Sequence, residues 1–120
     1  MSLTIKKTNR KYREYSQESY VEFAVNYIEN NYASISVDDI SRTIGIHRSH
    51  LASIFKKQMG ISPQEYLLRC RMTESCRLLR ETNLPIQNVA ARVGYDNPLT
   101  FSKMFKKTKG MSPREYRNAH

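Results

Sequence analysis

Residues 89–116 read V-A-A-R-V-G-Y-D-N-P-L-T-F-S-K-M-F-K-K-T-K-G-M-S-P-R-E-Y, and residues 40–66 read I-S-R-T-I-G-I-H-R-S-H-L-A-S-I-F-K-K-Q-M-G-I-S-P-Q-E-Y. Gly45 and Gly94 lie 49 residues apart, whereas Phe55 and Phe105, Gly60 and Gly110, Pro63 and Pro113, and Tyr66 and Tyr116 lie 50 apart. The second copy therefore carries one added residue between Gly94 and Phe105. A repeat of this period marks a duplicated supersecondary unit. Two such units on one short basic chain point to a target that is itself repetitive, of which a nucleic-acid helix is the commonest.

Each copy reads as helix, tight turn, helix. In the first, Ser36 and Asp39 form a capping box, with the acid on the positive helix end. Val37, Ile40 and Ile44 then face inward, and Gly45 supplies a left-handed turn residue. A new helix begins near His47 or Arg48, with Leu51, Ile54, Phe55 and Met59 toward the core and Gly60 at its end. In the second copy Ile86, Val89, Ala90 and Val93 face inward, Gly94 turns the chain, and Asp96 is expected to cap a helix from about Asn97 that buries Phe101, Met104 and Phe105. Ser62-P-Q-Glu65 and Ser112-P-R-Glu115 are further capping boxes, with proline at the favoured first position. The former opens a long helix to about Arg80, on which Leu68, Met72, Cys76 and Leu79 repeat at helical spacing. Upstream, Ser16 can cap a helix whose stripe is Tyr20, Phe23, Ala24, Tyr27 and Ile28. Alternating strand patterns are missing, so the chain is all-α with about seven helices.

At 120 residues with 39% hydrophobic content, the chain can bury one modest core or two very small ones. It contains no run of 18 apolar residues and no secretory segment after Met1, so a cytoplasmic, nucleoid-associated location is expected. Cys70 and Cys76 fall six apart on one helix, about 9 Å between Cα atoms at the helical rise. That excludes a disulfide between them and leaves both as small core fillers. Net charge is +9, and it is unevenly spread: residues 1–15 carry +4, residues 16–35 carry −3, and residues 84–120 carry +5. Such asymmetry favours a polyanion held on one face.

The residues shared by the two copies fall into two groups. Glycines, aromatics and Ser-Pro pairs are scaffold. The pairs Lys56-Lys57 and Lys106-Lys107 are not required by folding; a solvated cationic helix end that complements the dipole accounts for one pair, and phosphate contact at the far end of a groove-lying helix is the expectation for both. The exposed faces before each phenylalanine differ between the copies, as two readers of different base sequences would, and as unconstrained surface would too.

The pattern G-x(9)-F-K-K-x-x-G-x-S-P-x-E-Y-x-x-x-x-R, then a long helix, then I-x-x-V-A-x-x-V-G-Y-x(5)-F-S-K-x-F-K-K-x-x-G-x-S-P-x-E-Y-R, resembles the DNA-binding domain of the AraC/XylS family of bacterial transcription regulators over roughly residues 17–117. The resemblance implies two helix-turn-helix subdomains joined by one linker helix that sets two recognition helices into successive major-groove segments. The expected boundaries are residues 1–15 as linker or tail, 16–61 as the first subdomain, 62–82 as the linker helix and 83–120 as the second subdomain. A helix from Pro63 to Arg80 is roughly 27 Å long, a fitting spacer for grooves about 34 Å apart.

Carried onto this chain, the resemblance places Arg48, Ser49, His50, Ala52 and Ser53 as base-reading candidates of the first unit. Arg48 either reads a guanine bidentately or contacts a phosphate. Ser49 and Ala52 are small, which favours water-mediated or thymine-methyl contacts. In the second unit Asn97, Pro98, Leu99, Thr100, Ser102 and Lys103 correspond, with shape and phosphate contacts expected to dominate. His47, Lys56, Lys57, Lys106 and Lys107 are the phosphate candidates.

No cofactor is expected. His47 and His50 share a helix face but lack a third metal ligand, and no acid–base pair or phosphate loop supports an enzyme. The expected partner is double-stranded DNA, with RNA polymerase as a second partner if the protein is an activator, as the family resemblance favours. A protein-interaction module and a stand-alone small regulator are the alternatives. The cationic start favours a fragment of a larger regulator whose effector domain lies outside these 120 residues. The added residue near the second reader predicts two unlike half-sites in tandem rather than a palindrome.

Overall fold

The computed structural model describes residues 16–120, so the expected linker at residues 1–15 lies outside them. Within that range seven helices follow one another and no strand occurs: α1 (Gln17–Asn31), α2 (Val37–Ile44), α3 (Arg48–Met59), α4 (Pro63–Glu81), α5 (Ile86–Arg92), α6 (Pro98–Lys109) and α7 (Pro113–Ala119). The body is elongated, 56 × 24 × 22 Å.

The helix starts follow the local chemistry of the sequence. Ser16 Oγ accepts from the Ser19 amide and Ser62 Oγ from the Glu65 amide. Ser36–Asp39 and Ser112–Glu115 are complete capping boxes, because each carboxylate also accepts from the serine amide, at 2.9 and 2.8 Å. Ser62–Glu65 is only half of one. The Glu65 carboxylate lies beside Arg69 at 3.4 Å instead. Gly45, at φ 87°, turns the chain from α2 into α3.

Two cores form. Val21, Ala24, Ile28, Ile35, Ile40, Leu51, Ile54, Phe55 and Leu67 make the first; Met72, Cys76, Leu78, Leu79, Val89, Ala90, Val93, Phe101 and Phe105 make the second. The linker helix α4 thus serves both: Leu67 near its start packs into the first core, and its second half, from Met72 to Leu79, packs into the other. At 19 residues α4 is about 28 Å long. Tyr32, after α1, packs against both cores.

Several inward-facing assignments shift. The stripe of α1 is Val21, Ala24 and Ile28, while Tyr20 and Tyr27 sit at its margin and Phe23 is 45% exposed. Phe23 stacks on Tyr27 at 5.8 Å, so the aromatic rings cover the flank of the helix instead of entering the core. Met59 is exposed beside the Gly60 turn, and Met104 is half-buried. Leu67 and Leu78 join the expected apolar positions of α4.

The capping carboxylates make the fold acid-sensitive. The Ser36 amide bond holds the Asp39 carboxyl below its ordinary range, and the Ser112 amide does the same for Glu115. A depressed carboxylate contributes stability that is complete above the unfolded range and is lost as pH falls through the lower, folded value. Wild-type protein should therefore lose stability as pH falls below about 4. A D39N/E115Q variant should be less stable at neutral pH and lose less on acidification. Urea unfolding midpoints at pH 7 and pH 3 check this; parallel pH profiles would show that the caps do not carry it.

Candidate nucleic-acid interface

Helices α3 and α6 are each 12 residues long and match residue for residue at an offset of 50. The added residue of the second copy lies in the turn before α6, where Tyr95-Asp96 stand in place of Ile46. From the caps onward the two helices are in register.

The caps themselves are side chains proposed by sequence for DNA. His47 Nδ1 accepts from the Ser49 amide at 3.2 Å and lies 2.9 Å from Ser49 Oγ. Asn97 Oδ1 accepts from the Leu99 amide at 2.8 Å. Asp96, expected to be the cap, is exposed and makes no cap bond; the cap follows the register set by Phe105, which places it opposite His47. Pro98 occupies the first helical position, where its missing N–H is not needed.

Beyond the caps, helical periodicity sorts the remaining candidates into stripes. On α3, Arg48, Ala52 and Lys56 form one stripe and Ser49, Ser53 and Lys57 the next. On α6 the same positions hold Pro98, Ser102 and Lys106, then Leu99, Lys103 and Lys107. All are exposed except Ala52 and Ser102, which are half-buried. His50 and Thr100 are exposed at the edge of each face. The opposite face of each helix is buried through Leu51, Ile54 and Phe55, and through Phe101 and Phe105. The structure therefore gathers each helix's candidates on one open face, with lysines in the last turn of both helices.

The faces differ chemically. Arg48 pairs with Asp38 of α2 at 3.0 Å, both side chains more than half exposed. An exposed pair of this kind contributes about 0–1 kcal/mol, so it restrains the guanidinium only weakly. At the position equivalent to Ser49, Leu99 is 71% exposed, far more than Phe23 or Met59.

Lys109, at the end of α6, and Arg114, on α7, are exposed cations that the motif comparison did not single out. The +5 charge of residues 84–120 was the available signal. Among the described residues no three His, Cys, Asp or Glu side chains could hold a metal ion, and no helix is long and apolar enough to cross a membrane. Burial pushes the Cys70 thiol up, away from the range of reactive cysteines.

Two helix-turn-helix units with open basic faces, held by one shared helix, define a tandem DNA-binding module. Residues 40–119 match the family model described as a helix-turn-helix domain. The chain is 42% identical over 99 residues to the lactose operon transcription activator of Staphylococcus xylosus, covering 82% of this chain and 36% of that protein. It is 34% identical over 110 residues to the HTH-type transcriptional activator AarP of Providencia stuartii, covering 91% of this chain and 81% of that one. The C-terminal domain of AraT, a response regulator from Geobacillus stearothermophilus, superposes with a TM-score of 0.81 at 33% identity, covering 84% of this chain and 85% of that domain. The chain belongs to the AraC-type helix-turn-helix family of transcription regulators. It spans little more than a third of the length of the S. xylosus activator.

The cap geometry of α6 is testable. Asn97→Ala removes the acceptor for the Leu99 amide and should destabilise the protein by roughly 1 kcal/mol, with Asn97→Asp close to wild type. Urea denaturation measures both; an unchanged Asn97→Ala midpoint would remove the cap assignment.

Proposed function

We propose that the chain binds double-stranded DNA sequence-specifically, with α3 and α6 in successive major-groove segments on one face of the duplex. The observation that carries this is the pair of equal, in-register helices whose open faces are cationic at the same two positions, Lys56-Lys57 and Lys106-Lys107. A body 56 Å long is ample for two grooves about 34 Å apart. The functional units are residues 16–61, the linker 62–82, and residues 83–120.

Arg48 is assigned to a guanine edge, since its loose pairing with Asp38 is readily exchanged. Ser49, His50, Ala52 and Ser53 complete the first reading face. Pro98, Leu99, Thr100, Ser102 and Lys103 form the second, with Leu99 against a thymine methyl. Asn97 and His47, tied at one atom by their cap bonds, contact the duplex through their remaining polar atoms. The lysine pairs contact phosphates. The names of the two relatives support activation, for which RNA polymerase is the protein partner we assign, and the S. xylosus activator, spanned only to 36%, supports an effector domain in the whole regulator. We place the protein in the cytoplasm and assign it no catalytic role.

Selection from random duplex DNA should return two unlike half-sites about one helical turn apart. With such a site, affinity should fall by about 10³ or more between 50 and 200 mM salt if 6–10 phosphates are contacted. Replacing Lys56 and Lys57 with alanine should reduce the log–log salt slope by about 2. Salt-independent binding would remove the DNA reading in favour of a protein-interaction module.

Arg48→Ala should relax base preference in one half-site, at about 1–3 kcal/mol for the preferred base. Equal weakening on all sequences would reassign Arg48 to a phosphate.

A further inference from the structure

The two helix-turn-helix units touch at a second place, off the axis of the linker helix. Arg71, in the middle of α4, is half-buried. Its Nε donates to the Tyr32 carbonyl at 2.8 Å and its Nη2 to the Ile35 carbonyl at 3.1 Å, so it holds the loop between α1 and α2. The same guanidinium lies over the ring of Tyr95, 5.3 Å from its centroid, in the turn between α5 and α6. Gly94 completes the contact. At φ +107° it approaches the first unit so closely that a Cβ would lie 2.9 Å from the Ala33 carbonyl oxygen and 3.1 Å from both Ala33 Cα and Arg71 Cζ.

This approach is not inherited from the duplicated unit. Gly45, the counterpart of Gly94, has nothing within 4 Å of the same position. Nor does the first copy offer an aromatic there: its turn holds Ile46 alone between Gly45 and His47. The second copy's longer turn supplies Tyr95, which also packs on Phe101 at 5.6 Å in the second core. The features that break the repeat therefore converge on Arg71.

We infer that Arg71 is a positioning residue that fixes the separation and rotation of the two recognition helices, and with them the half-site spacing the protein accepts. This rests on the DNA-binding function proposed above. Each unit is fastened to α4 by its own core. Arg71 and Gly94, together with Tyr32 packed against both cores, supply a further attachment off the axis of that helix.

The test uses duplexes carrying the selected half-sites with their spacing varied in single base-pair steps, plus duplexes with one half-site. Wild type should show a sharp optimum. Arg71→Ala should bind the optimal duplex about tenfold more weakly, show a broadened spacing profile, and bind single half-sites within twofold of wild type. Gly94→Ala, which pushes the units apart at the same contact, should move the profile in the same way. An unchanged profile, or an equal loss on single and tandem sites, would overturn the assignment, because simple destabilisation lowers the active fraction without changing spacing preference. Thermal unfolding supplies a readout without DNA: one transition in wild type, two in Arg71→Ala. If wild type binds no duplex, the DNA reading has failed and the unfolding result alone decides the coupling; a single transition in the variant then overturns it.

Discussion

The edge-to-face contact between a phenylalanine and a tyrosine, made twice, is the constraint from which each unit takes its shape. Phe55 meets Tyr66 at 5.9 Å and 65°, and Phe105 meets Tyr116 at 5.5 Å and 74°. Each pair ties the last turns of a recognition helix to the first turn of the helix that follows. Between them lie a left-handed glycine, a capping serine and a proline, which together fix the corner. Ring geometry is worth about 0.5–1.5 kcal/mol beyond burial, whereas removing a fully buried phenylalanine costs about 3–5 kcal/mol. Burial therefore supplies most of the stability of each corner, and the ring geometry adds a smaller share. The two tyrosine hydroxyls then diverge. Tyr66 donates to Glu29 of α1, and that hydrogen bond is the chief reason its phenol is pushed up to about 12. Tyr116 accepts from Arg80 of α4 at 2.9 Å. One duplicated corner is thus braced against a different neighbour in each half.

Much of this was legible because the signals are local. Ser36, Ser62 and Ser112 act on amides three residues away, and Gly45 needs only its own backbone angle. Seven helices, the two helix-turn-helix units and the long linker all follow from such short-range rules together with the apolar period. What stayed hidden depends on partners far along the chain. Arg71 follows the first repeated stretch, but nothing in its flanking sequence says that it turns toward Tyr32 and Ile35 while Arg69, two residues away, stays in solvent. The aromatic face of α1 misled for a related reason: Tyr20, Phe23 and Tyr27 satisfy helical spacing as well as Val21 does, and only the neighbouring helices decide which edge is covered. Asp96 and Asn97 are both good caps, and the choice between them belongs to the register that Phe101 and Phe105 impose.

The candidate site was legible to a different depth. Which side chains stand open on α3 and α6 follows from which ones fill the cores, so the faces could be drawn from the sequence. What those side chains do is a question of what they are tied to. His47 and Asn97 spend one polar atom each on their own helix, and Arg48 is shared with Asp38. These ties are local electrostatic bargains of small energy, invisible to periodicity.

The two faces also imply unequal division of recognition under the proposed reading. A guanidinium offers paired donors in fixed geometry and distinguishes a guanine edge from the other three bases. A leucine offers only apolar surface, and its sole distinct partner in the major groove is the thymine methyl. Burying a methyl-sized patch is worth about 0.8 kcal/mol per methylene equivalent, against 1–3 kcal/mol for a good bidentate pair. The first unit should therefore carry most of the sequence discrimination. The second, with Leu99 and Pro98 in front and Lys106, Lys107 and Lys109 behind, should add affinity with less selectivity. Such a partner helps only if it arrives in register whenever the first unit is seated, because its own weak preference cannot find the correct groove. A stiff junction between the units is the physical requirement that follows.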